Sequence, residues 1–328
     1  MPNDLSHDVL FSNRMFDLTL LPIEQCNFRC TYCYEKFTDG QMKPELVASI
    51  KTLLDRRAPE LDFLRIGWFG GEPLLAHDLV ADISGHAQAL ADRNEGLQYV
   101  SGMSTNGYLL DVPMMARLTA VGVISYQVSI DGFGDKHDIT RPRRNGDGTF
   151  DRIWQNLCDL RASDLIFNIN IRVHYSRDNI DHVFDFTDRL RDEFGGDPRF
   201  HIFFKTIEKL GGDNDDALNV YGWKEAEAVK ARLMERLDGQ IRDVMPNSKC
   251  YVCYAGKPNA FVIRRDGRIV KCTVGLDDPE NLVGRMGADG EMIVENEALR
   301  PWLQGAVDLD AGFLRCPRAR LEIPALAS

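Results

Sequence analysis

The sequence predicts an α/β protein in which six β/α units form a partial barrel, followed by a small cysteine-rich C-terminal domain. Apolar runs typical of strands alternate with amphipathic helical segments through the first two thirds of the 328 residues. A closed barrel of this type needs eight strands, so six units leave one side open to a large substrate. Four of the eight cysteines fall after residue 249, which indicates a second region with its own chemistry.

The predicted elements follow each other in regular order. The strands are expected at 16–22, 63–69, 98–104, 124–130, 165–173 and 200–205. The helices between them are expected near 44–56, 77–94, 112–121, 150–162 and 178–193. We divide the chain into a barrel at 1–208, a helical connector at 209–249 and an auxiliary region at 250–328.

Three cysteines come directly after the first strand. Cys26, Cys30 and Cys33 have C-x3-C-x2-C spacing, and the aromatic Tyr32 stands just before the last one. Three thiolates hold an iron–sulfur cluster with one iron open to another ligand, whereas a structural zinc site closes with a fourth. A zinc knuckle or buried thiols are the alternative, since short cysteine clusters are commonly zinc sites.

Glycine, acidic and small polar residues follow the next strands. Gly70-Gly71-Glu72-Pro73 lets the backbone approach a ligand closely, and Glu72 can accept a hydrogen bond from an ammonium group. Alone, this segment is equally typical of an ordinary turn. Two further strands end in small hydroxyl or amide residues, and strand ends are where barrel enzymes place ligand contacts.

Together these motifs resemble the radical S-adenosylmethionine (radical SAM) enzymes. The resemblance implies that the three cysteines bind a 4Fe–4S cluster whose open iron chelates the amino and carboxylate groups of SAM. An electron from the cluster then cleaves SAM to a 5′-deoxyadenosyl radical. The family has the same (β/α)6 barrel, which would cover about residues 16–208 here.

The same resemblance implies the residues that bind SAM. Glu72 corresponds to the residue that binds the SAM amino group, and Arg141 is placed to pair with the carboxylate, although an exposed loop arginine is equally expected there. The positions near the ribose and carboxylate are Thr105, Asn106 and Ser129.

The remaining cysteines gather in the auxiliary region, as Cys250, Cys253, Cys272 and Cys316. A hairpin over 261–271 that turns at Asp266-Gly267 brings Cys253 and Cys272 together. The C-x13-G-x4-C pattern resembles the auxiliary-cluster region of SPASM and twitch radical SAM enzymes. Four cysteines saturate one auxiliary 4Fe–4S cluster, and the absence of further late cysteines favours the one-cluster, twitch-like form. A zinc site from the same four residues is the alternative.

The leading hypothesis is a radical SAM oxidoreductase that forms an oxidative cross-link in a ribosomally synthesised precursor peptide. It would need an electron donor of the flavodoxin or ferredoxin type. Asp277 and Asp278 are candidate catalytic bases because they follow Cys272, and a solvated acidic turn is the other interpretation. A small-molecule radical SAM dehydrogenase is the alternative enzyme. An iron–sulfur electron carrier or a zinc-stabilised interaction module is the non-enzyme alternative, but neither needs Glu72 beside two glycines.

Composition and termini restrict the remaining classes. The net charge of −11 argues against a nucleic-acid partner, which requires a basic surface. The N-terminus lacks the pattern of a signal peptide, and no stretch is long and apolar enough for a membrane span. We therefore expect a cytoplasmic protein, in which cysteines serve as metal ligands and not as disulfides. About fifteen residues precede the first strand, too few for a winged-helix domain that binds a leader peptide.

Overall fold

The computed structural model describes residues 11–237 and 251–321, and the structural statements that follow refer to these residues. The strands are β1 (Met15–Leu20), β2 (Phe63–Trp68), β3 (Gln98–Thr105), β4 (Val123–Ser129), β5 (Asn168–Tyr175), β6 (Phe200–Thr206), β7 (Ala260–Ile263), β8 (Arg268–Val270), β9 (Leu282–Met286) and β10 (Met292–Val294). The helices are α1 (Pro44–Arg57), α2 (His77–Arg93), α3 (Val112–Thr119), α4 (Asp135–Thr140), α5 (Phe150–Ala162), α6 (Ile180–Phe194), α7 (Trp223–Arg236), α8 (Asn296–Asp308) and α9 (Ala311–Arg315).

All ten strands form one sheet, in the order β10-β9-β8-β7-β1-β2-β3-β4-β5-β6. The strands β1 to β6 are parallel and neighbour each other in chain order. Within the described residues β6 pairs only with β5, so the six parallel strands do not close into a barrel. The α/β fold with an open parallel core, predicted from the alternation of elements, is therefore confirmed.

Local sequence explains where individual helices begin. Pro44 occupies the first turn of α1, where its missing amide hydrogen costs nothing. Asp111 caps α3 by accepting a hydrogen bond from the Met114 amide at 3.0 Å. The apolar faces of these helices pack against the parallel strands in one large core. Burial alternates along β3 and β4, so polar residues on the other face of the sheet and at the strand ends are free to line a site.

The C-terminal strands extend the sheet of the barrel. β7 lies parallel to β1, with Leu18 opposite Phe261, and β7 to β10 then run antiparallel to one another. The predicted hairpin is confirmed: it turns at Asp266-Gly267, where Gly267 has a φ of +87° that favours glycine. This pairing places the auxiliary hairpin next to the strand that leads into the first three cysteines.

The observed elements lie within a few residues of the predicted ones. In the barrel, the short helix α4 was not predicted from the periodicity, because six residues are too few to show a helical repeat. In the auxiliary region, β9, β10, α8 and α9 were not predicted either. The helix of the predicted connector is α7. In the described part of the chain, no helix has the length and hydropathy needed to cross a membrane. The domain boundaries at 208 and 249 stay a prediction.

Candidate active site

Two glycines hold the cysteine loop against the end of β2. A Cβ on Gly71 would lie 2.0 Å from the carbonyl oxygen of Gln25, and Gly70 has a φ of +94°. The amide of Glu72 donates to the same Gln25 oxygen at 2.9 Å. A larger side chain at Gly71 would push this loop away from the sheet. The sequence predicts that these glycines let a ligand approach the backbone closely. In the structure, the start of the cysteine loop makes such a close approach.

Cys26, Cys30 and Cys33 are half-buried and line the same cavity. The Phe28 amide donates to Cys26 Sγ at 3.4 Å, and the Cys33 amide donates to the Cys30 carbonyl at 3.1 Å, which closes a tight turn. Burial raises the pKa of all three thiols, to about 12 for Cys33. A thiolate is therefore unfavourable here unless a cation such as iron accompanies it.

The residues of this loop fit an iron–sulfur cluster, because three thiols on one loop line one cavity. The cysteines of a 4Fe–4S cluster bind different irons, so they surround the cluster without meeting at one point. The amide contact to Cys26 Sγ is also the kind of hydrogen bond that tunes a bound cluster.

Glu72 is fully buried, and its carboxylate is satisfied within the protein. Oε1 accepts from the Leu74 amide at 2.9 Å and from Thr105 Oγ1 at 2.8 Å, and Oε2 accepts from the Asn106 amide at 2.7 Å. Asn106 Nδ2 in turn donates to Asn27 Oδ1 in the cysteine loop, at 2.7 Å. Glu72 therefore joins the end of β2 to the end of β3 and positions Thr105 and Asn106. Its contact with SAM stays a prediction.

A buried network that the sequence analysis did not identify lies beside the cysteine loop. The Tyr32 hydroxyl donates to Asp131 Oδ2 at 2.6 Å and accepts from Arg141 Nη1 at 2.6 Å. His174 Nδ1 lies 3.1 Å from the other carboxylate oxygen of Asp131. Burial disfavours the carboxylate, but the contact with His174 and the charge of Arg141 outweigh it and hold the pKa of Asp131 well below its usual range.

The sequence offered one signal for this network, which was the position of Asp131 just after a predicted strand. It follows Ser129 by two residues at the end of β4, where ligand contacts are expected. His174 lies on β5, and no motif marks it. Burial lowers the pKa of His174 to about 4, so the imidazole is neutral near pH 7 and Asp131 carries the charge.

One cavity brings the three cysteines together with four of the predicted SAM-binding residues, Thr105, Asn106, Ser129 and Arg141. Glu72 lies behind this wall and is not part of the lining. The Nε of Arg141 is buried and has no hydrogen-bond partner among the described residues. The Arg141 guanidinium therefore keeps a donor for an anionic group such as a carboxylate.

The cavity continues from the cysteines towards the edge of the sheet. It passes Arg172 and His174 on β5 and reaches residues 205–210 at the end of β6. β6 is the edge strand of the parallel part. The cavity therefore reaches the edge of the parallel part of the sheet.

The structure brings together the three auxiliary cysteines that it describes, while Cys250 lies outside the described residues. Cys253 and Cys272 are half-buried, and Cys316 is exposed. Burial and the neighbouring thiols of Cys253 and Cys316 raise the pKa of Cys272 to about 11. The Val274 amide donates to Cys272 Sγ at 3.3 Å, which is the same type of contact as in the first loop.

Asn281, which the sequence analysis did not select, shapes the loop that carries Cys272. Its Oδ1 accepts from the amides of Lys271 and Cys272, both at 2.9 Å. Its Nδ2 donates to the carbonyl oxygens of Cys272 and Gly275, at 2.7 Å and 2.9 Å. The Asn281 side chain is buried, and each of its two polar atoms makes two hydrogen bonds to the backbone. It therefore substitutes for regular backbone pairing in this loop.

Asp277 and Asp278 are both paired with arginines. Asp277 accepts from Arg264 Nη1 at 2.7 Å, and Asp278 accepts from Arg318 Nη2 at 2.7 Å. Neither residue lines the cavity of the first three cysteines. Their role as catalytic bases stays a prediction, and these ion pairs favour a structural role for both.

Arg264 also connects the two cysteine regions. It is buried and donates from Nε and Nη2 to the two carboxylate oxygens of Glu24, at 2.8 Å and 2.9 Å. Glu24 precedes Cys26 by two residues, and the Asp277 partner of Arg264 follows Cys272 by five. A single guanidinium therefore fixes the loops that carry the two sets of cysteines.

Comparison with known proteins finds some relatives that are named for a small molecule and others that are named for a peptide. An "AdoMet-dependent heme synthase" of Methanosarcina barkeri is 31% identical over 193 residues, which are 58% of this chain and 51% of that protein. A "PqqA peptide cyclase" of Gluconobacter oxydans is 27% identical over 255 residues, 76% of this chain and 67% of that protein. The chain spans about half the length of the first of these relatives.

Solved structures and a family model agree on the fold. The structure "Native anSMEcpe with bound AdoMet and Kp18Cys peptide" superposes with a TM-score of 0.67 at 19% identity, covering 88% of this chain and 84% of that one. The family model "Radical SAM superfamily" matches residues 20–210, more than half of the 328 residues. On the strength of this match, the chain belongs to the radical SAM superfamily.

Proposed function

We propose that this radical SAM enzyme installs an oxidative cross-link in a ribosomally synthesised peptide. Enzymes of the superfamily use SAM and a 4Fe–4S cluster. Cys26, Cys30 and Cys33 would hold that cluster, which supplies the electron for homolytic cleavage of SAM. The radical formed in this way removes a hydrogen atom from the substrate.

The residues of the cavity wall have separate tasks in this proposal. Arg141, with its unpaired Nε, binds the SAM carboxylate. Thr105 and Asn106, both held in place by Glu72, and Ser129 bind the remaining polar groups of SAM. The Tyr32–Asp131 contact orients Arg141 and anchors the cysteine loop against β4. These contacts hold the cysteine loop and the Arg141 guanidinium in place, and Arg141 would thereby orient the SAM carboxylate.

The single observation that carries the peptide proposal is the extension of the cavity to the edge strand. Its lining runs from the cysteines past β5 to residues 205–210, so a chain can enter from the open side of the sheet. Two of the similar proteins have peptide names or titles, the PqqA peptide cyclase and the anSMEcpe complex. A precursor peptide is therefore the proposed partner.

We assign a second, auxiliary 4Fe–4S cluster to the C-terminal cysteines. Cys253, Cys272 and Cys316 are near one another, and Cys250 would complete a set of four thiolates. An oxidative cross-link releases an electron after the substrate radical forms, and the auxiliary cluster would accept it. The seven described cysteines are free thiols, which suits the reducing cytoplasm that we propose as the location.

Co-expression with a short open reading frame encoded beside this gene tests the substrate proposal. We expect the peptide to lose two hydrogens for each cross-link, and fragmentation to fail between the joined residues. Co-expression with the Cys26→Ala/Cys30→Ala/Cys33→Ala variant is the matched control and should leave the peptide unmodified. A peptide that wild-type enzyme leaves unchanged, in cells where SAM cleavage is demonstrated, would contradict the proposal.

A small-molecule dehydrogenase is the second candidate function. The observation that favours it is the 31% identity to a heme synthase. Turnover of a metabolite by a preparation that does not modify the peptide would move the assignment to this class.

A further inference from the structure

A second concave surface approaches Cys26 from outside the SAM cavity. Among the described residues, it shares only Cys26 and Phe37 with that cavity. The charged residues that line it are Arg29, Arg143, Arg144 and Asp39. We call this the arginine surface. The arginine surface borders Cys26, a proposed cluster ligand. Arg141 and Ser129, which line the SAM cavity, do not line this surface.

The arginine surface is attached to the cysteine loop through the backbone. The Arg29 amide donates to the Pro142 carbonyl and the Arg144 amide donates to the Asn27 carbonyl, both at 2.8 Å. Arg29 Nη1 also donates to the Cys26 carbonyl at 2.9 Å. These bonds fix the distance between the arginines and Cys26, so a molecule bound to the arginines lies next to the cluster loop.

The charge of this surface is opposite to that of the whole chain. The chain has a net charge of −11, whereas three arginines and one aspartate line the surface. Arg144 is exposed, and its side chain forms no ion pair with any described residue. Arg143 has a weak contact with Asp147, at 3.6 Å. A local positive field on an acidic protein selects an acidic partner and directs it to this face.

We propose that the arginine surface is the docking site of an acidic one-electron carrier, a small flavin or iron–sulfur protein. The reduced carrier gives up one electron, the cluster held by Cys26, Cys30 and Cys33 accepts it, and no group is transferred. The inference rests on the proposed function to the extent that it requires a reducible cluster at Cys26. Docking here keeps the electron path short while SAM and the substrate occupy the other cavity.

Binding of a purified, oxidised acidic flavodoxin tests the docking site without catalysis. Biolayer interferometry with the full-length holoenzyme should show about fivefold to tenfold weaker binding for Arg144→Glu at low salt. The difference should shrink to about twofold at high salt, because counter-ions screen exposed charges. Arg144→Lys should bind as wild type, and Arg56→Glu, an exposed arginine on α1, is the matched control and should also bind as wild type.

Formation of 5′-deoxyadenosine with two reductants separates docking from chemistry. With flavodoxin and its NADPH-dependent reductase, Arg144→Glu should turn over about fivefold more slowly than wild type. With dithionite, which needs no docking, the two proteins should be equal. Unchanged flavodoxin affinity, equal losses with both reductants, or weaker binding by Arg56→Glu would each overturn the proposal. A wild-type protein that forms no 5′-deoxyadenosine with dithionite would contradict the proposed function, while the binding comparison would still decide the docking site.

Discussion

The two cysteine regions contain similar local contacts but are attached to the protein in different ways. In each, a thiol accepts an amide hydrogen bond from the second residue after it, Phe28 for Cys26 and Val274 for Cys272. The first loop leaves β1 and is held by backbone hydrogen bonds to Glu72, which follows β2, and to residues 140–144 at the end of α4 and just after it. The second is carried by an antiparallel extension of the sheet and organised by one side chain, Asn281.

In our proposal the first region generates the radical, and the second is an extension at the edge of the barrel sheet. The first loop depends on glycine contacts and on the buried Asp131 network, which tolerate little displacement. The second region has an exposed cysteine, Cys316, and joins the barrel through β7 and Arg264. We expect changes in the first region to remove all activity, and changes in the second to separate SAM cleavage from product formation.

The largest expected effect follows from replacing Cys26, Cys30 and Cys33 together by Ala. The protein should fold and keep its auxiliary cluster but form no 5′-deoxyadenosine, because no iron with an open site remains. Anaerobic reconstitution should give about eight irons in wild type and about four in the variant, from two cubane sites. Persistent 5′-deoxyadenosine formation would refute the cluster assignment, and zinc in place of the remaining iron would refute the auxiliary cluster.

The next effect is expected from Cys272→Ala. This variant should lose the cross-linked product while some uncoupled SAM cleavage continues, because the first loop is unchanged. Iron content and 5′-deoxyadenosine are measured in the same preparation as the peptide mass. Cys158→Ala is the matched control: Cys158 lies on α5 outside both regions and should leave iron content unchanged. Normal product from Cys272→Ala would show that the two regions are not functionally linked.

The sequence predicted the six parallel strands well because each has closely spaced apolar residues, in a run or in alternation, between helical segments. It also predicted the position of the first cysteines, since their spacing is local. It did not predict the pairing of β7 with β1, which joins segments more than 200 residues apart. Such pairings depend on tertiary packing, and the periodicity of one segment carries no information about its distant partners.

The interpretation of Glu72 shows the same limit within the site. A carboxylate after two glycines has the right chemistry to bind an ammonium group, so the motif predicts a ligand contact. The structure shows three internal donors to this carboxylate, from the ends of β2 and β3, and the contact with an ammonium group stays a prediction. The motif alone did not indicate the internal donors, because the same acceptor oxygens can serve either kind of donor.

Arg264→Leu tests the connection between the two regions. The substitution removes the closer cation of the buried Glu24 and leaves only Arg265, whose Nε lies 3.9 Å away, so we expect a loss of about 3–5 kcal/mol in the free energy of unfolding. Urea unfolding of the apoprotein measures it. Arg268→Leu is the control in the same hairpin, where a partly exposed pair with Asp266 should contribute no more than about 1 kcal/mol. Equal losses in both variants would mean that the buried pair does not hold the regions together.

The smallest expected effect is a loss of folding stability at acidic pH, and it should arise from the barrel and not from the auxiliary region. All seven histidines precede residue 202, so the auxiliary region contains none. His137 is buried, accepts from the Asp131 amide at 3.1 Å, and has a pKa lowered by burial from 6.5 to about 4. Between these values the unfolded chain binds a proton that the folded protein does not, so stability falls as the pH is lowered from about 6.5 towards 4.

Unfolding free energies at pH 7 and pH 5 measure this contribution. A shift of one pKa unit corresponds to about 1.4 kcal/mol, so His137 should account for about 1–2 kcal/mol of the loss at pH 5. His137→Gln should begin from a lower stability at pH 7 but lose about 1–2 kcal/mol less on acidification. If His137→Gln loses as much as wild type, His137 is not an acid-sensitive group of the barrel.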